Sequence, residues 1–173
     1  MDEKDTIVVF SARSPGRIIK EGGSQAWVLN PARAKLCKWL IATQNRHNPD
    51  HDFSDATEPH GAAFLVGKIS GIRPSPESED RWIIEISEAA RIDKPDVWQH
   101  WRNPVRYVSL SELGIKVDGL EFKPVPSAQE EQVLRESRAI SGPLATLTIA
   151  EAKKALAATF GVKPDAVEIT IRG

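Results

Sequence analysis

Four stretches of the chain carry apolar residues in patterns that are typical of β-strands. Residues 6–12 form a β-branched, apolar run, and residues 25–30 form a second, shorter one. Residues 61–72 and 81–92 are separated by a loop of prolines and acidic residues, and the second of the two alternates apolar with polar positions. These patterns predict two short strands followed by a long antiparallel pair at the centre of a sheet.

The long pair carries signs of curvature. Gly67 and Gly71 interrupt the apolar run of residues 61–72, and glycine within a strand indicates a β-bulge or a close approach of two backbones. No strand-helix-strand alternation is present, and antiparallel sheets of this kind close readily into small barrels. The pattern therefore predicts an α+β fold built on a small, twisted, mostly antiparallel β-barrel.

A helix is predicted directly after the second strand. The Asn-Pro pair at residues 30–31 is the arrangement of a capped helix start, because asparagine accepts from free amides and proline tolerates the first helical position. Leu36, Trp39 and Leu40 recur at helical spacing, so the helix is expected to span residues 31–45. The preceding glycine- and proline-containing segment is predicted to be a loop.

The most unusual stretch is residues 98–113, which crowds rings with hydrogen-bonding side chains. Asp96 is placed to cap a short helix that carries Trp98 and Trp101 on one face, and Pro104 should end that helix. Extended structure should then return at residues 105–108. In a chain with only eleven aromatic side chains, this crowding indicates a ligand site.

The composition changes after residue 124 and predicts three segments. Residues 1–124 are expected to form the barrel domain, residues 125–146 a linker around one amphipathic helix, and residues 147–173 a helix-strand unit. The helix of the last unit should begin with a capping box of Thr148 and Glu151, end at Gly161 and be followed by a strand at 167–171. One helix and one strand bury little, so this unit is expected to pack on the main body, on a protein partner or on a second copy.

Charge and composition exclude some classes of protein. The chain has 173 residues and a net charge of −1, which excludes a strongly basic protein that coats DNA through phosphates. Residues 11–46 nevertheless carry seven basic side chains against one acid, a local charge of +6. The basic side chains of that segment either face phosphate or form the solvent-exposed face of a helix.

Cysteine content and hydropathy bear on the compartment. Cys37 is the only cysteine, so no disulfide framework or cysteine-based zinc site can form within one chain. The first ten residues are acidic where a secretory signal would be basic, and no run of about 18 apolar residues predicts a membrane span. The expected location is the cytoplasm, with no membrane partner.

The order of elements in residues 5–124 resembles the PUA-like superfamily, with the EVE, ASCH and YTH groups nearest. The likeness is carried by the first strand ending in polar residues, by QAWVLN followed by the predicted helix, by GAAFLVGKISGI paired with RWIIEISEAARI, and by WRNPVRYVSL. The resemblance implies a PUA-like barrel flanked by helices, with a pocket for a flipped, often modified, base of DNA or RNA.

An extruded base needs rings to stack on, polar groups that read its edge and cations for the adjoining phosphates. The candidate stacking rings are Trp27, Trp98, Trp101 and Tyr107. The candidate edge-reading groups are Ser11, Gln25, Asn30 and Asn103. The candidate phosphate contacts are Arg13, Arg33, Arg102 and Arg106. The expected picture is one concave site ringed by Trp27, Trp98 and Tyr107 that opens toward Arg13 and Arg33.

Each ring has a structural alternative, since Trp27 can belong to the core and Trp98 and Trp101 can plug a barrel end. Two other functions stay open: an interaction or regulatory protein that docks through residues 147–173, and a metal-dependent hydrolase that uses the histidines of loop 47–60. The loop spacing matches no strong metal motif, and no catalytic motif is present. We therefore predict a non-catalytic binding protein without cofactor or metal ion.

Overall fold

The computed structural model describes residues 3–48, 54–127, 133, 136–137 and 149–170. The chain divides into two compact units, residues 1–131 and residues 132–173. Within the described part, no helix is long and apolar enough to cross a membrane.

The first unit is built on one sheet. Its strands are β1 (Thr6–Ser11), β2 (Gly23–Trp27), β3 (Trp39–Gln44), β4 (Ala63–Pro74), β5 (Trp82–Lys94), β6 (Val105–Val108) and β7 (Lys123–Pro124). Their order is β2-β5-β4-β3-β1-β6, with β7 paired to β5. Among the described strands, only β1 and β3 pair in parallel. The sheet curls into a half-barrel, which confirms the prediction of a small, mostly antiparallel barrel in an α+β fold.

The long β4–β5 hairpin carries bulges that bend the sheet. The register between these strands shifts at three places, two of them between Lys68 and Gly71. A Cβ atom added at Gly67 would lie 2.6 Å from Ile86 Cγ2, so glycine allows the two strands to approach at that point. Bulges bend a strand and increase its twist. The predicted bulge is confirmed by the register shift at Gly71, whereas the atoms nearest to Gly67 belong to the Ile86 side chain and not to a second backbone.

Both faces of the sheet are buried. Ile7 and Val9 of β1 belong to one core cluster, together with Ile18 and Ala34 from two short helices, α1 (Pro15–Lys20) and α2 (Pro31–Ala34). Residues of β1 that alternate with these, such as Val8, pack into a second cluster under the irregular segment 97–122. Burial on both sides explains why β1 reads as a continuous apolar run.

The helix predicted for residues 31–45 is wrong beyond its first turn. Asn30 caps α2 as expected, since its Oδ1 accepts from the Arg33 amide at 3.1 Å, but the helix ends at Ala34. The following residues form β3, which pairs with β1 on one side and β4 on the other. Leu36 is 79% exposed, so the helical spacing that included it marked no buried face. The hydrogen bonds that β3 makes to a strand on either side outweigh the helical spacing of its apolar residues.

Two further local predictions are wrong. The loop expected between β1 and β2 contains α1, because Ser14 caps the helix through the Arg17 amide (3.2 Å) and Pro15 occupies the first turn. No helix carries the tryptophans near residue 98. Asp96 and His100 have φ values of +54° and +55°, a left-handed backbone that a right-handed helix cannot include.

The second unit contains helix α3 (Ile149–Phe160). It ends at Gly161 as predicted, where φ is +66° and the Val162 amide donates to Ala157 O at 3.0 Å. The predicted strand at 167–171 is wrong as far as it is described: residues 164–166 form a 3₁₀ turn and residues 167–170 pair with no described strand. The predicted cap Thr148, residue 171 and most of the linker lie outside the described residues.

Candidate functional site

The curl brings the two ends of the sheet together along a seam. The terminal strands β2 and β6 share no ladder among the described pairs, and the side chains of Arg13, just after β1, and Tyr107, in β6, reach β2 and the residues after it instead. Arg13 Nη1 donates to Gln25 O at 2.7 Å, and the Tyr107 hydroxyl donates to Asn30 O at 3.4 Å. An open seam leaves room for a ligand where a closed barrel would have backbone hydrogen bonds.

A cavity of about 650 Å³ lies at this seam, and we call it the seam cavity. Its lining combines two rings, hydroxyl and amide side chains, one acid and two arginines: Phe10, Ser11, Ala12, Arg13, Gln25, Ala26, Trp27, Asn45, Asn48, Glu77, Ser78, Arg81 and Pro104. The volume is in the range of ligand sites, about 300–1,000 Å³. Five segments distant in sequence therefore converge on one hollow.

Arg13 is the fixed centre of the cavity wall. It is 4% exposed, and its guanidinium nitrogens lie 3.2 Å from a Glu21 oxygen and 3.1 Å from a Glu77 oxygen. Glu21 also accepts from Arg17 Nε at 2.9 Å. A buried cation requires such partners because desolvating an unpaired charge is costly. The charge of Arg13 is thus balanced inside the protein, and its contacts join β1, β2 and the β4–β5 loop.

Gln44 fixes the carboxyl end of β1 beneath the cavity. Its side chain is fully buried, and Nε2 donates to Ser11 O at 2.7 Å and to Arg13 O at 3.3 Å. Its Oε1 accepts from the Glu58 amide at 3.3 Å. Satisfied hydrogen bonds of this kind hold irregular backbone in one geometry. Ser11 Oγ in turn accepts from the Arg13 amide at 3.1 Å.

Trp27 forms the wall contributed by β2. Its indole N–H donates to Ser24 Oγ at 2.9 Å, and it stands opposite Trp82 across an irregular part of the β2–β5 ladder. The intervening peptide bond between Gln25 and Ala26 is cis. The ring is half-buried: it packs on the core and also reaches the cavity.

The structure brings only part of the predicted site together. Ser11, Arg13, Gln25 and Trp27 line the seam cavity. Trp98 does not: it is 7% exposed and stacks on Phe10, with ring centres 4.5 Å apart and planes 4° from parallel. The Trp98 ring packs in the core cluster that contains Val8, on the face of the sheet opposite to Ile7 and Val9.

Trp101 and Arg106 lie together in a different place. Trp101 packs edge-on against Trp98 at 4.9 Å, and the Arg106 guanidinium sits 4.6 Å from the centre of its ring. Both residues line a smaller cavity of about 290 Å³. Arg102 is exposed, and Asn103 Oδ1 accepts from the Val105 amide at 3.1 Å.

Tyr107, Asn30 and Arg33 form a third group at the far end of the seam. The Arg33 guanidinium covers the tyrosine ring, with Cζ 4.1 Å from its centre. Burial raises the pKa of Tyr107, an effect that Arg33 partly opposes. Tyr107 therefore packs against the core and holds an arginine, and the single site ringed by Trp27, Trp98 and Tyr107 is not formed.

Sequence reasoning missed nine lining residues: Phe10, Ala12, Ala26, Asn45, Asn48, Glu77, Ser78, Arg81 and Pro104. Asn45 and Asn48 follow β3. Because β3 was predicted as helix, these two residues were not recognised as the polar end of a strand. Glu77 and Arg81 come from the β4–β5 loop, and they reach the cavity only because the sheet curls. The one signal in the sequence that could have indicated these lining residues was a polar residue directly after a buried strand.

Two of the three histidines of loop 47–60 meet in the described part. The rings of His47 and His60 lie 4.4 Å apart, and His60 Nδ1 accepts from the Arg46 amide at 3.2 Å. The pKa of His60 lies below its ordinary value, because its ring is partly shielded from water and because His47 and His100 are close. Among the described residues no group of three or more ligating side chains could hold a metal, and His51 lies outside them.

Comparison with protein-family models and with curated proteins identifies no relative. No protein-family model matches the chain. No curated protein matches it either.

Proposed function

We propose that the seam cavity binds a base extruded from a strand of DNA or RNA, in a fold of the PUA-like type. The observation that carries the proposal is the composition of the cavity lining, which combines the aromatic residue Trp27 with the hydroxyl- and amide-bearing residues Ser11, Gln25, Asn45 and Asn48. A flipped base is held by stacking and read through its hydrogen-bonding edge, and both kinds of group are present.

The electrostatics of the cavity wall around Arg13 favour an uncharged, planar ligand. Arg13 is neutralised by Glu21 and Glu77, so its wall offers polar groups without an uncompensated positive charge. A phosphate placed deep in the cavity would lie near the Glu77 carboxylate, which is unfavourable. A base inside the cavity is uncharged, and phosphates that stay outside the cavity avoid the Glu77 carboxylate. A nucleotide bound in this way meets both requirements.

Replacing Trp27 by alanine is expected to weaken oligonucleotide binding about 10- to 100-fold, for whichever oligonucleotide binds the unmodified protein. Stacking on one aromatic side chain contributes roughly 1–3 kcal/mol per base, and about 1.4 kcal/mol corresponds to a factor of ten. The measurement is the fluorescence anisotropy of labelled single strands and mismatched duplexes, with natural and modified bases, at low salt.

Trp101→Ala provides the comparison, because Trp101 lines the smaller cavity and not the seam cavity. Its affinity should match that of the unmodified protein. Loss of binding in Trp101→Ala, with binding by Trp27→Ala unaffected, would indicate that the base binds in the smaller cavity. Absence of any response in the unmodified protein would remove the proposal.

A second function is favoured by the surface of α3. Ile149, Phe160 and Val162 are 54%, 72% and 47% exposed, which is unusual for apolar side chains so close in sequence. We propose as the alternative that this unit contacts a protein partner or a second copy. Replacing Phe160 by glutamate should then lower the sedimentation coefficient at high protein concentration, and identical sedimentation of both proteins would exclude self-association.

A further inference from the structure

The arginines near the seam fall into two classes according to what holds them. Arg13 and Arg17 contact Glu21, and Arg73 lies 2.6 Å from Glu85, so carboxylates neutralise these cations. Such arginines contribute little net charge to the surface. A phosphate would have to displace an existing ion pair to reach them.

Arg81 and Arg33 are held differently. Arg81 Nη1 donates to Ala26 O at 2.9 Å, and Arg33 rests on the Tyr107 ring at 4.1 Å. Both side chains belong to exposed residues, and neither lies within ion-pair distance of a carboxylate in the described part of the chain. A carbonyl and a ring orient a guanidinium without cancelling its charge. Each arginine is therefore positioned in advance and keeps its full charge for a ligand.

These two cations flank the Trp27 wall on one side of the seam. Arg81 is attached to Ala26, the residue before Trp27, and Arg33 follows Asn30 in the first turn of α2. The backbone from Ala26 to Asn30 spans at most about 14 Å. The two guanidiniums are therefore anchored near either end of the segment that carries Trp27, which makes them the candidates for contacting the phosphates on either side of a nucleotide whose base enters the seam cavity.

We infer that the nucleic-acid strand runs along the β2–α2 side of the seam, with one flanking phosphate at Arg81 and the other at Arg33. This inference rests on the proposed function. It assigns the phosphate contacts to this side and not to the face that carries Arg102 and Arg106.

The salt dependence of binding tests the assignment. For a single strand, the slope of log K against log salt changes by about 0.7 for each phosphate contact. Arg33→Gln and Arg81→Gln should each reduce the slope by about 0.7, and the double variant should reduce it by about 1.4. Arg73→Gln is the matched control, because its charge is already paired with Glu85, and its slope should be unchanged.

The outcomes separate this inference from the proposed function. Binding that depends on Trp27, with unchanged slopes in Arg33→Gln and Arg81→Gln, would overturn the phosphate assignment and leave the base cavity standing. A reduced slope in Arg106→Gln alone would place the strand on the other face and overturn it as well. If no oligonucleotide binds the unmodified protein, both proposals fail. Circular dichroism melting of each variant verifies that it is folded.

Discussion

Replacing Arg13 by methionine is expected to lower the free energy of unfolding by about 3 kcal/mol. The Arg13 side chain is 5% exposed and is the cation between Glu21 and Glu77, so its removal leaves two carboxylates without their shared partner. Breaking a buried ion pair from one side costs about 3–5 kcal/mol, and the lower end applies because the carboxylates retain some contact with water. Urea denaturation followed by tryptophan fluorescence measures the change.

Arg73→Met is the matched control for this prediction. It removes the same kind of bond, from Arg73 to Glu85, but there both side chains are more than 30% exposed. Exposed pairs contribute about 0–1 kcal/mol. Adding Glu77→Gln to Arg13→Met should restore part of the lost stability, because Glu21 keeps its ion pair with Arg17 and Glu77 is the carboxylate that loses its cation. Equal losses in Arg13→Met and Arg73→Met would contradict the structural role of the buried arginine.

Replacing Gly23 by alanine is expected to cost about 3 kcal/mol and to weaken ligand binding together with stability. The new Cβ would lie 2.2 Å from Ile84 O and 2.9 Å from Glu85 Cα, both backbone atoms of β5. Overpacking costs about 1–3 kcal/mol, and backbone atoms cannot rotate away, which favours the upper end. Strand β2 must then move off β5, and it carries Gln25 and Trp27 of the cavity wall.

Gly16→Ala is the control for this substitution, seven residues away in helix α1. A Cβ at Gly16 meets nothing within 4 Å, and alanine is favoured over glycine in a helix by up to about 1 kcal/mol. The Gly16 variant should be as stable as the unmodified protein or more so, with unchanged oligonucleotide affinity. A Gly23 variant as stable as the Gly16 variant would contradict the close packing of β2 on β5.

Local patterns predicted much of the fold because local physics produces them. The β4–β5 hairpin follows from period-two alternation on either side of a turn-rich loop, and the ends of α2 and α3 were marked by Asn30 and Gly161. The patterns failed where neighbours in space decide the structure. Strand β3 lies between β1 and β4, and its hydrogen bonds to both outweigh the helical spacing of its side chains.

The sequence by itself determined the α+β class, the long bulged hairpin and four residues of the candidate site, Ser11, Arg13, Gln25 and Trp27. Only the tertiary structure decided that Trp98 stacks on Phe10 while Arg81 joins Trp27 at the seam. The reason is that a strand's pattern specifies which side chains are buried but not what they are buried against. The curl of the sheet determines that, because it brings together two edges that lie at opposite ends of the strand order.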